Sequence, residues 1–470
     1  MAVNWTREQK QVIEGREKSL LVSAAAGSGK TAVLVERIIQ MITEGENPKD
    51  IDRLLVMTFT RAAAAEMRER IQAAIEKKLE SEPENEHLQQ QAVLVQFAQI
   101  TTIDSFCLHI MREHFDRLDI DPAFRVGDEG EMLLMRVDVM DGLLEDYYRD
   151  GGKRYEEFVD AYATGKADGG IAEYVMQVYN FAQSNPWPDA WYEKCREELL
   201  LTEQGELEQT EWMQFLLRDI ALQAQEWKIQ LREAWEICQE TGGPMPYLPM
   251  IEEDLRHAEA VCGAAGSFET ISEALEQFTF SRLAAIRGKN GEVDPEKKAL
   301  VSDCRSRVKK AVEKLKGEYL FASPEQMLTD MEAGKERILE LLELAQEFGR
   351  RFRAKKKEKN VVDFHDLEHF ALEILTEPEA ECSEAEETSR AEETDQMQGK
   401  NAWTVRVPGT VADELAVQYD EILVDEYQDS NLVQETLIQC ISGERFDRPN
   451  VFMVGDVKQS IYKFRRSEEH

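Results

Sequence analysis

The 470-residue sequence has no apolar run near the ~18 residues that a membrane span needs. Its first residues, MAVNWTREQK, lack the apolar stretch of a secretory signal. Cysteine is scarce: seven in all, Cys107, Cys195, Cys238, Cys262, Cys304, Cys382 and Cys440, an odd number set far apart with no CxxC pair. Such spacing speaks against a disulfide framework or a zinc knuckle and for a reducing cytoplasmic setting. Bases are short too, 56 Lys and Arg against 93 Asp and Glu, for a formal net charge of −37. On average a surface of that sign repels phosphate. Two stretches run the other way. Residues 350–359 (RRFRAKKKEK) carry seven bases against Glu358, and Arg282 to Lys316 carries eleven against five acids. Each reads either as a solvated helix face or as a polyanion contact.

What is present is enough apolar mass, 42% of residues, for roughly three domains at about 150 residues each. Residues 19–59 read as strand, loop, helix and strand: SLLVSA, then AAGSGKT, then TAVLVERIIQMI with Leu34, Ile38 and Ile42 at i, i+4 and i+8, then RLLVMTF. Apolar runs with almost no alternation return at EILVDE (421–426) and VFMVGD (451–456). Such strands suit a parallel sheet covered by helices on both faces. Between them, from about 120 to 350, the chain is rich in helix formers, with Trp227, Leu231 and Trp235 at heptad-like spacing. Five of the seven tryptophans, Trp187, Trp191, Trp212, Trp227 and Trp235, fall there and read as helical core. Residues 376–400 open with nine acids against one base in TEPEAECSEAEETSRAEETDQ and read as a disordered acidic loop.

The chemistry is concentrated in short motifs. Ala24, Ala25, Ala26, Gly27, Ser28, Gly29, Lys30 and Thr31 follow a strand and open a helix, the setting of a phosphate-binding Walker A loop. Small residues let backbone N–H groups wrap phosphates at a helix N-terminus. Lys30 then reaches the β- and γ-phosphates of ATP, and Thr31 holds Mg²⁺. Ala24 replaces the first glycine of the general pattern. In ILVDEYQD (422–429) an apolar strand ends in Asp425, expected on the Mg²⁺ side, and Glu426, expected to deprotonate the attacking water. Residues 454–466, VGDVKQSIYKFRR, mix Gln459 with the aromatics and bases that engage a single strand. Phe59 and Thr60 end the second strand, where the ring can sit on a base. His365 and His369 with Asp363, Asp366 and Glu368 imitate a metal cluster but read as a polar helix face.

Together, Trp5, Thr6 and Gln9, AGSGKT (26–31), TFTRAAAAEM (58–67), TIDSF (102–106), VDEYQD (424–429) and GDVKQSIYKFR (455–465) resemble, in order, the first motifs of superfamily 1 DNA helicases of the UvrD/RecB kind. DFHDLEHFAL (363–372), the length of the helical stretch and LAAIRGKN (283–290) resemble the A subunits of bacterial AddAB helicase–nucleases. The resemblance implies an α/β fold, a RecA-like P-loop core with a parallel sheet interrupted by an all-helical insertion: residues 1–118 and 351–470 as the two halves of a motor domain, 119–350 as the insertion. It implies an ATP- and Mg²⁺-dependent 3′-to-5′ DNA translocase for double-strand-break repair by homologous recombination. Such a motor works on single strands and duplex ends in a heterodimer with a B-type subunit.

The same resemblance implies that Gln9 reads adenine and that Gln459 joins Lys30 and Glu426 in the catalytic set, coupling the γ-phosphate to the DNA site. Phe59, Tyr462 and Phe464 stack on bases, with Thr60 and Arg465 also at the strand; Phe464 stands where many relatives carry tryptophan. A second motor domain and a nuclease domain are absent from these 470 residues, which are therefore expected not to unwind DNA alone. The rival readings are a nucleotide- and DNA-binding fragment that never hydrolyses ATP and a P-loop kinase for small molecules. The kinase leaves Phe59, Tyr462 and Phe464 unexplained.

Overall fold

The computed structural model describes residues 5–16, 18–25, 28–44, 48–163, 169–201, 204–264, 266–286, 293–378 and 406–456. The described strands are β1 (Leu20–Ser23), β2 (Leu54–Thr58), β3 (Ile100–Thr102), β4 (Arg125–Val126), β5 (Val361–Val362), β6 (Thr376–Pro378), β7 (Arg406–Pro408), β8 (Glu421–Asp425) and β9 (Val451–Gly455). Five of them make one sheet in the order β1-β9-β8-β2-β3. Every pairing in that sheet is parallel, with Val424 of β8 level with Met57 of β2 and Met453 of β9. β4 pairs with β5 in parallel, and β6 with β7 antiparallel.

The missing alternation in the apolar runs has a direct cause, because both faces of the sheet are covered. Leu55, Met57, Ile422, Val424 and Val451 pack on one side against Phe106, Leu372, Leu415 and Leu437. Those four come from the helices Ile103–Glu113, Phe364–Leu375, Thr410–Gln418 and Leu432–Ile441. Leu54, Val56, Leu423, Phe452 and Val454 face the other way, onto Leu34, Ile38, Ile42, Met67 and Ile71. Their partners lie on the helices Lys30–Thr43 and Arg61–Ser81. Burying each such side chain contributes roughly 1.5–3 kcal/mol. Leu423 is fully buried, so Leu423→Ala would cost about 2–5 kcal/mol by leaving a cavity. The fold is α/β with a parallel sheet.

The described chain groups into two compact units, Met1–Glu193 with Leu341–His470, and Lys194–Glu340. The helices Glu129–Asp150, Gly152–Tyr162 and Gly169–Gln183, inside the stretch expected as an insertion, group with the sheet. The second unit is helical. Its core gathers Trp227, Leu231, Leu255, Ile271 and Val308 from the helices Glu211–Gln239, Leu248–Gly263, Phe268–Gln277 and Pro295–Tyr319. Trp227 fulfils its heptad position there. Trp235 is half-buried and donates from Nε1 to Glu252 Oε1 at 3.2 Å. Trp212, expected in a core, is instead 43% exposed. It follows the N-cap Thr210 by two residues, on the solvent side of the first turn.

The acidic loop also begins later than expected. Residues 376–378 form β6, tied to β7 by Arg406, which donates from Nε to Thr376 Oγ1 at 2.9 Å and from Nη2 to Thr376 O at 2.6 Å. Residues 379–400, the rest of the expected loop, lie outside the described residues.

The histidine- and acid-rich helix Phe364–Leu375, expected as a polar face, has Asp363, Asp366 and Glu368 partnered, with Asp363 and Glu368 buried. Asp363 caps it, and Asp363 and Asp366 exchange hydrogen bonds with each other's backbone N–H. The buried Lys356 ammonium lies 3.0 Å from Asp363 and 2.6 Å from Asp366. Burial alone would push the Asp363 carboxyl up, but Lys356 and the Asp366 N–H hold it below the usual carboxylate range. Glu368 accepts from Asn431 Nδ2 at 3.2 Å and Gln434 Nε2 at 2.5 Å. Among the described residues no group of three or more His, Cys, Asp or Glu is placed to hold a metal. The basic run 350–359 is largely neutralised in place. Arg350 and Arg351 bond Glu347, Arg351 also pairs with Asp146, Lys355 with Glu358, and Lys357 with Asp119.

Candidate functional site

Parallel strands put all their carboxyl ends on one edge of a sheet, and in open α/β sheets ligands bind there. At that edge β1 runs into residues 24–29, and Ala24 N donates to Gly455 O at the end of β9 at 2.9 Å. Ser28 N donates to Ala25 O at 3.2 Å, closing a turn. Gly29 has φ +82°, the left-handed region that a side chain disfavours, and so the chain can swing into the helix Lys30–Thr43. No side chain caps that helix. The N–H groups of its first turn and the positive end of its dipole are therefore left for an anion. Ala26 and Gly27 lie outside the described residues.

Two side chains close on this turn. Lys30 Nζ donates to Glu426 Oε2 at 3.0 Å, with the Lys30 side chain 8% and the Glu426 side chain 38% exposed. Glu426 follows β8 with φ +53°, left-handed for a residue that is not glycine. Backbone held this way by its surroundings is common where a side chain must be aimed. Asp425, the last residue of β8, is buried and accepts from the Glu426 N–H at 3.0 Å. Burial first, and then the charge of Glu426, push the Asp425 carboxyl up to about 6, against the pull of Lys30. Thr31 is half-buried on the first helical turn. An alcohol and a buried carboxylate, each next in sequence to a member of the Lys30–Glu426 pair, form an oxygen donor set of the kind Mg²⁺ takes.

Gln9 sits on the helix Arg7–Glu14, in a capping box with Thr6. Its Oε1 accepts from the Thr6 N–H at 2.9 Å, and its Nε2 donates to Ser28 O at 3.0 Å. Among the described residues one lone pair of Oε1 and one hydrogen of Nε2 remain, a donor and an acceptor side by side, the set that matches adenine N7 and N6. Arg37, fully buried on the helix Lys30–Thr43, fastens this helix to the sheet. It donates from Nε to Glu421 Oε1 at 2.6 Å and from Nη1 to the carbonyls of Val12 at 2.7 Å and Gly15 at 2.5 Å.

Phe59 is half-buried just past β2. Thr60 is exposed, but its hydroxyl caps the helix Arg61–Ser81 by accepting from Ala63 N at 3.1 Å. The structure thus brings Gln9, Ser28, Gly29, Lys30, Thr31, Asp425 and Glu426 to one strand edge, with Phe59 and Thr60 at the end of β2 on that edge. Gln459, Tyr462, Phe464 and Arg465 lie outside the described residues.

Sequence reasoning passed over two residues. Arg37 is a lone base within an apolar helical stripe, a signal that could have marked it. Gln428 stands in VDEYQD without an assigned role, yet it donates from Nε2 to Glu426 Oε2 at 2.6 Å. Only the folded arrangement reveals that contact.

Comparison with known proteins identifies the family. The family described as UvrD/REP helicase N-terminal domain matches residues 5–470. A protein of Lachnoclostridium phytofermentans, named as the A subunit of an ATP-dependent helicase/nuclease, is 44% identical over 98% of this chain and 32% of its own length. Its namesakes in Clostridium botulinum and Oceanobacillus iheyensis are 41% and 40% identical, each over 99% of this chain and 36% of their own length. The chain spans about a third of the length of these relatives.

Proposed function

We propose a function from one premise: this chain belongs to the UvrD/REP helicase N-terminal domain family. It serves as the nucleotide-binding motor portion of an ATP-dependent DNA helicase, a 3′-to-5′ translocase within a helicase–nuclease for double-strand-break repair by homologous recombination. Residues 1–118 and 351–470 form its RecA-like core, with 119–350 inserted as a helical subdomain. The observation that carries this reading is the Lys30–Glu426 pair at 3.0 Å, set beside the buried Asp425 and the uncapped helix N-terminus. That is the layout of phosphoryl-transfer sites, where catalysis is positioning and charge stabilisation.

In this proposal the first-turn N–H groups and Lys30 hold the phosphates of ATP, with Ala24 to Gly29 as the cradle. Thr31 and Asp425 would hold Mg²⁺, which neutralises charge on the phosphates. Glu426 orients the attacking water and takes its proton, while Gln9 reads the adenine edge. Gln459 links the γ-phosphate to DNA, and Phe59, Thr60, Tyr462, Phe464 and Arg465 engage a single strand. DNA as single strand and duplex end, a cytoplasmic setting and a B-type partner protein belong to the same proposal. It draws support from the names of the relatives.

The test is ATP turnover by the full-length protein with and without single-stranded DNA. DNA-stimulated turnover that Glu426→Gln abolishes supports the reading. Nucleotide binding with no turnover under any condition would favour the non-hydrolysing alternative. A polypeptide of residues 1–470 alone is proposed to bind nucleotide and not to separate strands, since it contributes one wall of a two-domain cleft. An arginine from the facing wall is worth roughly 10³- to 10⁵-fold in rate.

A further inference from the structure

Gln428 lies in the short turn Tyr427–Asp429 after β8 and is 3% exposed. Its amide is used at both ends, and Nε2 also reaches Asp429 Oδ2 at 3.4 Å. Nε2 donates to Glu426 Oε2 at 2.6 Å, and Oε1 accepts the backbone N–H of Asp456, just past β9, at 2.8 Å. The donor and acceptor ends cannot be exchanged, because a carboxylate must meet the NH₂ group and an N–H must meet the oxygen. The approach to β9 is close: a Cβ on Gly455 would fall 2.5 Å from Gln428 Oε1 and 3.0 Å from Gln428 N. The carbonyl of that same Gly455 accepts from Ala24 at the start of the phosphate loop.

Lys30 and Gln428 both donate to Glu426 Oε2, which leaves Oε1 without a protein hydrogen bond among the described residues. The carboxylate is therefore aimed by two donors. One belongs to the phosphate loop, the other to a side chain anchored on the end of β9.

We propose that Gln428 is a positioning residue that keeps the Glu426 carboxylate in register with the end of β9, so that the hydrolysis rate responds to where that strand end lies. The inference rests on the proposed ATPase reading and adds its regulation: the sequence continuing from β9 carries the bases and aromatics that the reading assigns to single-stranded DNA. A strand end displaced by bound DNA carries the Asp456 N–H with it. Gln428 transmits the displacement to the Glu426 carboxylate.

The test uses the full-length protein and measures kcat and KM for ATP with and without single-stranded oligothymidylate. Gln428→Met removes the hydrogen bonds to Glu426, Asp429 and Asp456; Gln428→Glu keeps the acceptor for Asp456 and removes the donor to Glu426 and Asp429. Expected for both variants are a DNA-stimulated kcat at least tenfold lower, a KM for ATP within twofold of wild type, and a stimulated-to-basal ratio at least fivefold smaller. If Gln428→Met does not fold, Gln428→Glu carries the measurement. A structural role alone would lower stimulated and basal rates by one common factor, and that result, or an unchanged ratio, overturns the inference while leaving the ATPase reading intact. Wild-type turnover indifferent to DNA overturns the inference and, with it, the DNA-motor part of the proposed function.

Discussion

Lys30 Nζ lies 3.0 Å from Glu426 Oε2 although 396 residues separate them in sequence. The contact joins the first turn of the helix after β1 to the end of β8. In the proposed reading these are the two places where phosphate and attacking water meet.

Removing each partner should separate binding from chemistry. Lys30→Ala deletes a charged hydrogen-bond donor worth about 1.5–3 kcal/mol, so nucleotide affinity should fall roughly 10- to 150-fold. Glu426→Gln keeps the volume and removes the base, so turnover should fall about 10²- to 10⁴-fold while nucleotide still binds. Fluorescent-nucleotide titration and phosphate release read the two effects. Equal turnover in Glu426→Gln and wild type would remove Glu426 from the base role.

Phe59, half-buried past the end of β2, tests the strand interface. Stacking on an aromatic ring is worth about 1–3 kcal/mol per base, so Phe59→Ala should weaken single-stranded DNA binding about 5- to 150-fold, whatever the base sequence. The thermal midpoint should stay close to wild type. A large loss of midpoint with unchanged DNA affinity would make Phe59 a core residue.

Arg37 and Glu421 form a buried pair, and burial pushes the Glu421 carboxyl up while Arg37 draws it back. Arg37→Met leaves Glu421 and the Val12 carbonyl without the donor that Arg37 supplied, while the Gly15 carbonyl keeps Arg16 Nη1 at 3.0 Å. Breaking a buried pair from one side costs about 3–5 kcal/mol. The helix bearing Gln9 also loses its fastening to Arg37 through Val12 and Gly15. Urea unfolding should show the loss, and nucleotide affinity measured well below the transition should fall with it. A cost under about 1 kcal/mol would mean that water reaches the pair.

His369 supplies a pH dependence. Burial above all, then the nearby charges of His365 and Arg353, push its imidazole down to about 4, against hydrogen bonds to the carbonyls of Gln183 and Pro186. The unfolded chain protonates this histidine near 6.5 and the folded chain does so only near 4. Stability is therefore full above about 6.5 and is lost as pH falls toward 4, by on the order of 3 kcal/mol. H369Q should lose less over the same window. Parallel curves of stability against pH for wild type and H369Q would show that His369 already titrates freely when folded.

Much of this was legible in the sequence for local reasons. A strand buried on both faces must be apolar at every position, and Leu54 to Met57 and Ile422 to Val424 are. A left-handed residue before a helix favours glycine, and Gly29 stands there. A phosphate loop and a strand ending in Asp-Glu are contiguous in sequence, so Lys30, Thr31, Asp425 and Glu426 could be named without coordinates. Tertiary structure alone decided the rest, because the partners are distant in sequence and carry no periodic mark. It aimed Glu426 through Lys30 and Gln428, buried Arg37 against Glu421, and spent most of the basic run 350–359 on neighbouring acids. It also made β6 from the first residues of the acidic stretch, since pairing with β7 satisfies backbone groups whatever the side-chain charge. Local pattern determines which residues can bear the chemistry; the packing of β8 between β2 and β9 determines where their atoms point.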